Sequence, residues 1–101
     1  MANTRLPTIA TITAQNTGTD CLLLPAGGAA TLQVSGTFVA VITLQFRFGD
    51  ESAVHDVETY TAATLRNFLT YSPGQVRLFC KTGSFTSGAA VIEARPGKQR
   101  E

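Results

Sequence analysis

The chain has little charge for its length of 101 residues. Lys and Arg together number 8 and Asp and Glu number 7, so charged residues make up 15% of the sequence and the formal net charge is +1. Globular domains typically carry about 25% charged residues. The basic residues are scattered, so the sequence predicts no nucleic-acid partner. A lightly charged surface suits a protein that becomes covered by other protein, because interface cores are depleted in charge.

Long apolar runs are also missing. The longest, such as "CLLLPA" and "FVAVI", are far too short to cross a membrane. The first residues, "MANTRLPTIATITA", contain one Arg and no apolar segment of signal-peptide length. We therefore expect a protein that is made in the cytosol and is not inserted in a membrane.

The two cysteines, Cys21 and Cys80, are far apart and belong to no C-x-x-C pair. A metal site would need closely spaced ligands, so none is expected here. A cytosolic origin favours free buried thiols. A disulfide stays open as an alternative if the strands that carry the two residues face each other.

Signs of catalysis are equally scarce. The single histidine, His55, lies in "GDESAVHDVE", which lacks the D-x-D-x-D-G spacing of a calcium loop. The sequence contains no G-x-S-x-G elbow and no Walker A loop. Asp56 and Glu58 share a strand face, but a chain this small offers little room for a cleft around them. We therefore expect no enzyme activity, catalytic residue, bound metal or cofactor.

Helix signals are weak throughout the chain. The best candidate is "TAATLRNFLTYS" at 61–72, where Leu65, Phe68 and Leu69 could form one helical face. Thr, Asn and Tyr are poor helix formers, however. We interpret this segment as a loop with one helical turn and then a short strand, with a strand around 68–71 as the competing interpretation.

Alternating strand patterns dominate instead. From Phe38 to Phe48, even-numbered residues are mostly apolar and predict a buried face, while Val39, Val41 and Arg47 lie on the other face. Turn signals recur every 8 to 12 residues, as in a sandwich or jelly roll. The predicted fold is all-β, an antiparallel β-sandwich or jelly roll of about seven to eight short strands with extended terminal arms. We expect one domain over 1–101, with a core at 8–96, an N-terminal arm at 1–7 and a C-terminal tail at 97–101.

Several large side chains are predicted on outward faces. Phe79 lies between Arg77 and Lys81 on the polar face of "QVRLFCK". If this strand neighbours the one that carries Val39 and Val41, they form an apolar patch of the kind that marks association. Exposed aromatic residues, including Tyr71, are further candidates. The predicted interaction residues are Val39, Val41, Arg47, Tyr60, Arg77, Phe79 and Phe85.

The segments "LQVSGTFVAVITLQFRFGDESAVHDVETYTA" and "GQVRLFCKTGSFTSGAAVIEARPG" resemble small β-sandwich structural proteins of tailed bacteriophages and prophages. Those proteins often contain V-S-G-T-F, a D-G-G turn, W-x-D-V-x-x-Y-T and a T-S-G-T loop. The resemblance covers roughly 30–96. It departs at the turn, where "GDES" stands, and at the usual Trp, where Val54 or His55 stands. The matching residues are 35–38, 44–45, 56–57, 60–61, 74–77 and 87–88.

The resemblance implies a virion structural protein. A capsid decoration (cement) protein on the outer shell is the favoured interpretation, with the major capsid protein and other copies of itself as partners. It implies a homo-oligomer located on the capsid surface. A tail- or fibre-associated module that binds receptors or glycans through Tyr60, Tyr71 or Phe85 is the alternative, and a minor head–tail connector component is a third.

Overall fold

A computed structural model describes residues 3–4, 7–49 and 53–97, with the backbone alone at Asn3 and Thr4. These residues form ten strands and no helix, so no helix of the described chain could span a membrane. The strands are β1 (Asn3–Thr4), β2 (Thr8–Ile12), β3 (Thr17–Gly18), β4 (Cys21–Leu24), β5 (Ala29–Ala40), β6 (Ile42–Phe48), β7 (His55–Tyr60), β8 (Thr64–Leu69), β9 (Gly74–Cys80) and β10 (Phe85–Pro96).

The strands form two sheets. Sheet 1 has the order β2-β10-β5-β8, and sheet 2 has the order β1-β4-β9-β6-β7, with β3 also paired to β9. All pairs are antiparallel except β1 with β4. From β4 onward the chain moves between the sheets in the manner of a jelly roll. The all-β sandwich or jelly roll predicted from the sequence is confirmed.

The core lies between the sheets and consists of the inward half of each alternating strand. Leu44 of β6 and Leu78 of β9 are completely buried and directly opposite each other. Each such side chain stabilises the fold by about 1.5–3 kcal/mol relative to an exposed position. The other large aliphatic side chains that are fully buried are Ile12, Leu22, Leu32, Ile42, Val76 and Ile92.

The long strand predicted from Phe38 to Phe48 is two strands in different sheets. Strand β5 ends at Ala40 in sheet 1, and β6 begins at Ile42 in sheet 2. Val41 lies between them, and its backbone N–H donates to the carbonyl oxygen of Ser84 at 2.8 Å. Ala40 and Ile42 are both buried. The alternation of buried and outward residues therefore continues from β5 into β6, and the sequence pattern gives no sign of the corner between them.

The helical turn predicted within 61–72 is wrong. This segment forms β8, and Phe68 lies opposite Ala30 of β5, where it packs against the core. Leu65 and Leu69, which were assigned to the same face as Phe68, point outward and are 68% and 55% exposed. Pairing with β5 outweighs the local pattern, as tertiary context commonly does. The competing interpretation correctly expected a strand, but its range of 68–71 overlaps β8 only at Phe68 and Leu69.

The predicted terminal arms are only partly described. Asn3 and Thr4 form a short parallel pair with Cys21 and Leu22. At the other end, the Gly97 N–H donates to the Ala29 carbonyl oxygen at 2.8 Å. Residues 1–2, 5–6 and 98–101 lie outside the described residues. The division into core and arms therefore stays a prediction.

Both cysteines are free thiols. Cys80 is buried in the core cluster, and Cys21 is half-buried on the outward side of β4. Burial raises the pKa of the Cys80 thiol, because the thiolate is poorly solvated there. Cys80 is thus a small apolar core residue with little thiolate character at neutral pH.

Candidate interaction surface

Two arginines and two glutamines form a square on the outward side of sheet 2, which we call the arginine–glutamine face: Gln45 and Arg47 on β6, Gln75 and Arg77 on β9. The β6–β9 register places Gln45 opposite Arg77 and Arg47 opposite Gln75. Arg77 Nε donates to Gln45 Oε1 at 2.7 Å, and Arg47 Nε donates to Gln75 Oε1 at 2.6 Å. Each guanidinium is therefore oriented by a neighbouring amide.

The Gln45 amide also connects this face to β7. Its Nε2 donates to Asp56 Oδ1 at 3.0 Å, and the Lys81 ammonium pairs with Asp56 Oδ2. The hydrogen bonds from Lys81 and Gln45 hold the pKa of the Asp56 carboxyl below its usual value. Gln45 is only 6% exposed although it lies on the outward face. The nitrogen of this nearly buried amide thus bonds Asp56 and its oxygen bonds Arg77, and buried polar groups generally need such hydrogen-bond partners.

Arg77 is held by a second contact. Its guanidinium lies over the Phe79 ring, 4.3 Å from the centroid. A cation at this distance from an aromatic face is attracted by the ring quadrupole. Phe79 lies opposite Thr43, which is buried although it is on the outward side of β6. The Arg77 side chain is therefore fixed by both an amide and an aromatic ring.

A shallow depression with a volume of about 30 Å³ opens on this face. This volume is far below the range of about 300–1,000 Å³ that is typical of small-molecule sites. The depression is therefore a shallow feature of a protein surface and not a small-molecule pocket. The lining consists of the arginine–glutamine face together with Cys21, Phe46 and Val54.

The charges of the described residues are distributed unevenly over the molecule. Lys81 pairs with Asp56, Arg66 with Glu58, and Arg95 with Glu93. Among residues 3–4, 7–49 and 53–97, the two cations with no carboxylate partner are Arg47 and Arg77. Both belong to the arginine–glutamine face, and the described side chains of this face consequently carry a net positive charge.

The predicted apolar patch of Val39, Val41 and Phe79 does not form on neighbouring strands. Val39 is at the end of β5 in sheet 1, whereas Phe79 is on β9 in sheet 2. Val39 is 58% exposed and Val41 is half-buried at the corner between the sheets. The prediction assumed that 38–48 is one strand beside β9, and only its second half, β6, lies there.

Tyr60 and Phe85 are not the exposed aromatic residues that the sequence suggested. Tyr60 is buried, and its hydroxyl donates to Glu58 Oε1 at 2.7 Å, where Arg66 Nε also donates at 2.8 Å. Burial, reinforced by Glu58, raises the pKa of Tyr60. Phe85 is half-buried and packs against the core. Tyr71 is exposed as expected, at 86%.

His55 makes an aromatic contact. Its ring lies 5.8 Å from the Phe48 ring in an edge-on arrangement. Asp50 and Glu51, which belong to the same "GDESAVHDVE" segment, lie outside the described residues. Within the described chain no three His, Cys, Asp or Glu side chains form a group able to hold a metal ion.

The sequence interpretation missed Gln45 and Gln75 as functional partners of the arginines. Alternation placed all four residues on the outward side of their strands, but it could not give the register that pairs them. It also missed several exposed apolar side chains on sheet 1. Leu65, Leu69 and Ile9 lie on the outward face of its two edge strands, and Val91 lies on β10 between them.

No protein-family model matches the sequence, and comparison with curated protein sequences finds no match. Among solved structures, the chain is similar to a de novo designed double-stranded β-helix determined by NMR, with 15% identity over 90% of this chain and 97% of the other, at a TM-score of 0.49. It is also similar to a chain from the acid-stable capsid structure of Helicobacter pylori bacteriophage KHP30. That pair has 13% identity over 89% of this chain and 84% of the other, at a TM-score of 0.51. The second likeness shows a shared all-β fold over nearly the whole chain.

Proposed function

We propose that this protein is a structural component of a bacteriophage virion, and specifically a capsid decoration (cement) protein that stabilises the head by binding between capsomers. The observation that carries the proposal is the likeness of its fold to a chain of a phage capsid over 89% of its length. The resemblance of "SGTF", "DV" and "YT" to small phage β-sandwich proteins supports it independently.

The surface chemistry suits attachment to a protein lattice. The outward side of sheet 1 exposes Leu65 and Leu69 on edge strand β8 and Ile9 on the opposite edge strand β2, so each edge offers a small apolar area to a partner. The major capsid protein and further copies of this chain are the proposed partners. Weak contacts are sufficient on a shell, because attachment at several points on one lattice multiplies the effective affinity.

The location and copy number of the protein in the particle test the proposal directly. Quantitative mass spectrometry of purified virions, combined with an image reconstruction of the head, would be used for both. We expect many copies in register with the capsomers on the outer surface of the head. A few copies confined to the tail or the neck would refute the decoration role.

The stabilising activity can be tested separately on heads. Particles stripped of this protein are heated with and without the purified protein, and capsid melting is followed calorimetrically. We expect the melting temperature to rise with added protein and to level off when the sites are full. The same concentration of an unrelated small β-sandwich protein is the control, and an unchanged melting temperature would argue against cementing.

The structure gives less support to a glycan-binding tail module. That alternative depended on Tyr60, Tyr71 and Phe85 as exposed stacking platforms, and of these Tyr71 is exposed while Tyr60 is buried and Phe85 packs on the core. Sugar recognition by stacking would use an exposed aromatic face. Binding of the isolated protein to a glycan array, lost in Tyr71→Ala, would reverse this preference.

A further inference from the structure

We propose that the arginine–glutamine face is a carboxylate-binding site that docks an acidic side chain of a protein partner. Arg47 and Arg77 lie diagonally across the β6–β9 pair, and both border the depression between the two strands. Diagonal positions on neighbouring strands are about 7–8 Å apart at the backbone. Each of the two guanidinium groups is therefore in a position to pair with a carboxylate that approaches this part of the face.

The arginines are arranged in advance for this task. Each Nε is occupied by a glutamine oxygen, which leaves the terminal amino groups of the guanidinium as the donors for a ligand. The fixed fork of a guanidinium matches the two oxygens of a carboxylate. Arg77 also stacks on Phe79. Side chains that are already ordered lose less conformational entropy on binding, which favours affinity.

Charge complementarity identifies the occupant. Lys81, Arg66 and Arg95 each have a carboxylate partner within the described chain, whereas Arg47 and Arg77 have none there. An acidic partner side chain would supply the missing negative charge. A nucleic acid fits less well, because phosphate binding uses many cations in a stripe and this face offers two beside the apolar Val54.

Binding can be measured by NMR without knowledge of the partner. The Nε–H protons of Arg47 and Arg77 are hydrogen-bonded and thus protected from exchange, which makes them suitable probes. Poly-L-glutamate should shift both resonances to saturation and leave those of Arg66 and Arg95 nearly unchanged. Arg47→Gln and Arg77→Gln should each weaken binding about tenfold, as expected for the loss of one charged contact.

Arg95→Gln is the matched control, because it removes the same charge from the outward face of sheet 1, and its affinity should stay within about twofold of the wild type. Equal shifts of all arginines would indicate nonspecific attraction and overturn the site. An oligothymidylate that binds as tightly as poly-L-glutamate would make nucleic acid the partner instead. Self-association that Arg77→Gln abolishes would make a second copy the occupant.

The docking of this site onto a capsid rests on the proposed function, and the two can fail separately. Stripped heads are incubated with wild-type protein or with the Arg47→Gln/Arg77→Gln double variant, and bound protein is measured after sedimentation. We expect the double variant to bind at least about tenfold more weakly. Equal binding of the two proteins would overturn docking through this face and leave the decoration role intact. If neither the wild-type protein nor the double variant binds, the decoration role is refuted. The titration with poly-L-glutamate would then be the separate test of the carboxylate-binding site.

Discussion

At the scale of single residues, Gln45 has the most demanding environment on the outward side of the sandwich. It is nearly buried, donates to Asp56 and accepts from Arg77, so one amide joins an anion to a cation. Each of these hydrogen bonds has a charged partner, and such bonds are stronger than neutral ones. Removing the amide leaves two charged groups short of a partner at once.

Gln45→Ala should therefore lower the free energy of unfolding by about 1–3 kcal/mol, the usual cost of leaving a largely buried polar group unsatisfied. Urea denaturation measures this difference. Gln33→Ala is the control, because Gln33 is an exposed glutamine on the outward side of β5 and should change stability by less than about 0.5 kcal/mol. Equal effects of the two substitutions would show that the Gln45 network contributes nothing.

A second residue-scale cluster joins the two sheets at their edge. The Tyr60 hydroxyl and the Arg66 guanidinium both donate to Glu58, which lowers the pKa of this carboxyl. A carboxyl whose pKa is depressed by folding stabilises the protein above the pKa it has in the unfolded chain. That stability is lost as the pH falls through the folded pKa.

Tyr60→Phe should raise the pKa of Glu58 towards its ordinary range, because the larger of the two stabilising hydrogen bonds is removed. A carboxyl ¹³C NMR titration follows this pKa directly. When the pH is lowered from neutrality to below the ordinary range of Glu pKa values, the free energy of unfolding should fall less for Tyr60→Phe than for the wild type. Tyr71→Phe is the control, since the Tyr71 side chain is exposed. An unchanged Glu58 titration in Tyr60→Phe would contradict the assignment.

At the scale of elements, the longest strands set the dimensions of the molecule. Strands β5 and β10 each contain twelve residues and pair along most of their length. Twelve residues of strand span about 40 Å, which matches the longest dimension of 41 Å. Gly36, with φ +98°, lies within this pair opposite Ala90, at a backbone conformation that other residues seldom adopt.

Gly36→Ala should be more destabilising than an ordinary glycine substitution. A Cβ at this position would lie 2.6 Å from the carbonyl oxygen of Ala89, so the backbone of β10 would have to move. Gly83→Ala is the control, because Gly83 has φ +82° but open space around it. Gly83→Ala should lower the free energy of unfolding by about 1–2 kcal/mol, because of the backbone conformation alone. Gly36→Ala should lower it by at least about 1 kcal/mol more, because of the added strain. Equal losses of unfolding free energy for the two substitutions, measured by thermal or urea unfolding, would show that the β5–β10 pair accommodates the added Cβ without strain.

The elements also show how far the sequence predicts this fold. The alternation of β9 correctly indicated which of its residues are buried, because its polar and apolar residues alternate with a period of two. In β6 the same alternation separated the inward from the outward side chains, but the outward Thr43 and Gln45 are buried as well. The corner at Val41 does not interrupt the alternating pattern. The residues on either side of it, Ala40 and Ile42, are both buried and both even-numbered, as they would be in one continuous strand. The sequence pattern did not reveal β8, because its apolar residues Leu65 and Leu69 lie on the outward face and not on the buried one.

The candidate site was predictable only in part for a related reason. Alternation placed Arg47 and Arg77 on outward faces, and both were predicted as interaction residues. Their hydrogen bonds to Gln75 and Gln45 depend on the register between β6 and β9, which is set by contacts distant in sequence. Tyr60 was misjudged because it lies at the end of an otherwise exposed strand, where one buried position is not visible in the pattern.

At the scale of the whole molecule, the two ends of the chain close the same sheet. Strand β10, near the C-terminus, lies between β2, near the N-terminus, and β5. Sheet 1 therefore cannot be completed until the last strand is in place. The core side chains of the two sheets also form one continuous cluster. Neither sheet has an apolar core of its own, so the sheets are expected to unfold together.

Native-state hydrogen exchange can test this cooperativity. The amides of Ile92 in sheet 1 and Leu78 in sheet 2 should exchange with opening free energies that agree within about 1 kcal/mol and match global urea unfolding. Leu65, on the edge strand β8, is the internal comparison and should exchange with a lower free energy, because edge strands open locally. Ile92 and Leu78 are fully buried at the centres of their sheets, so local fraying cannot explain a difference between them. Protection at Leu78 that clearly exceeds protection at Ile92 would mean that sheet 2 persists alone, which would contradict a single cooperative core.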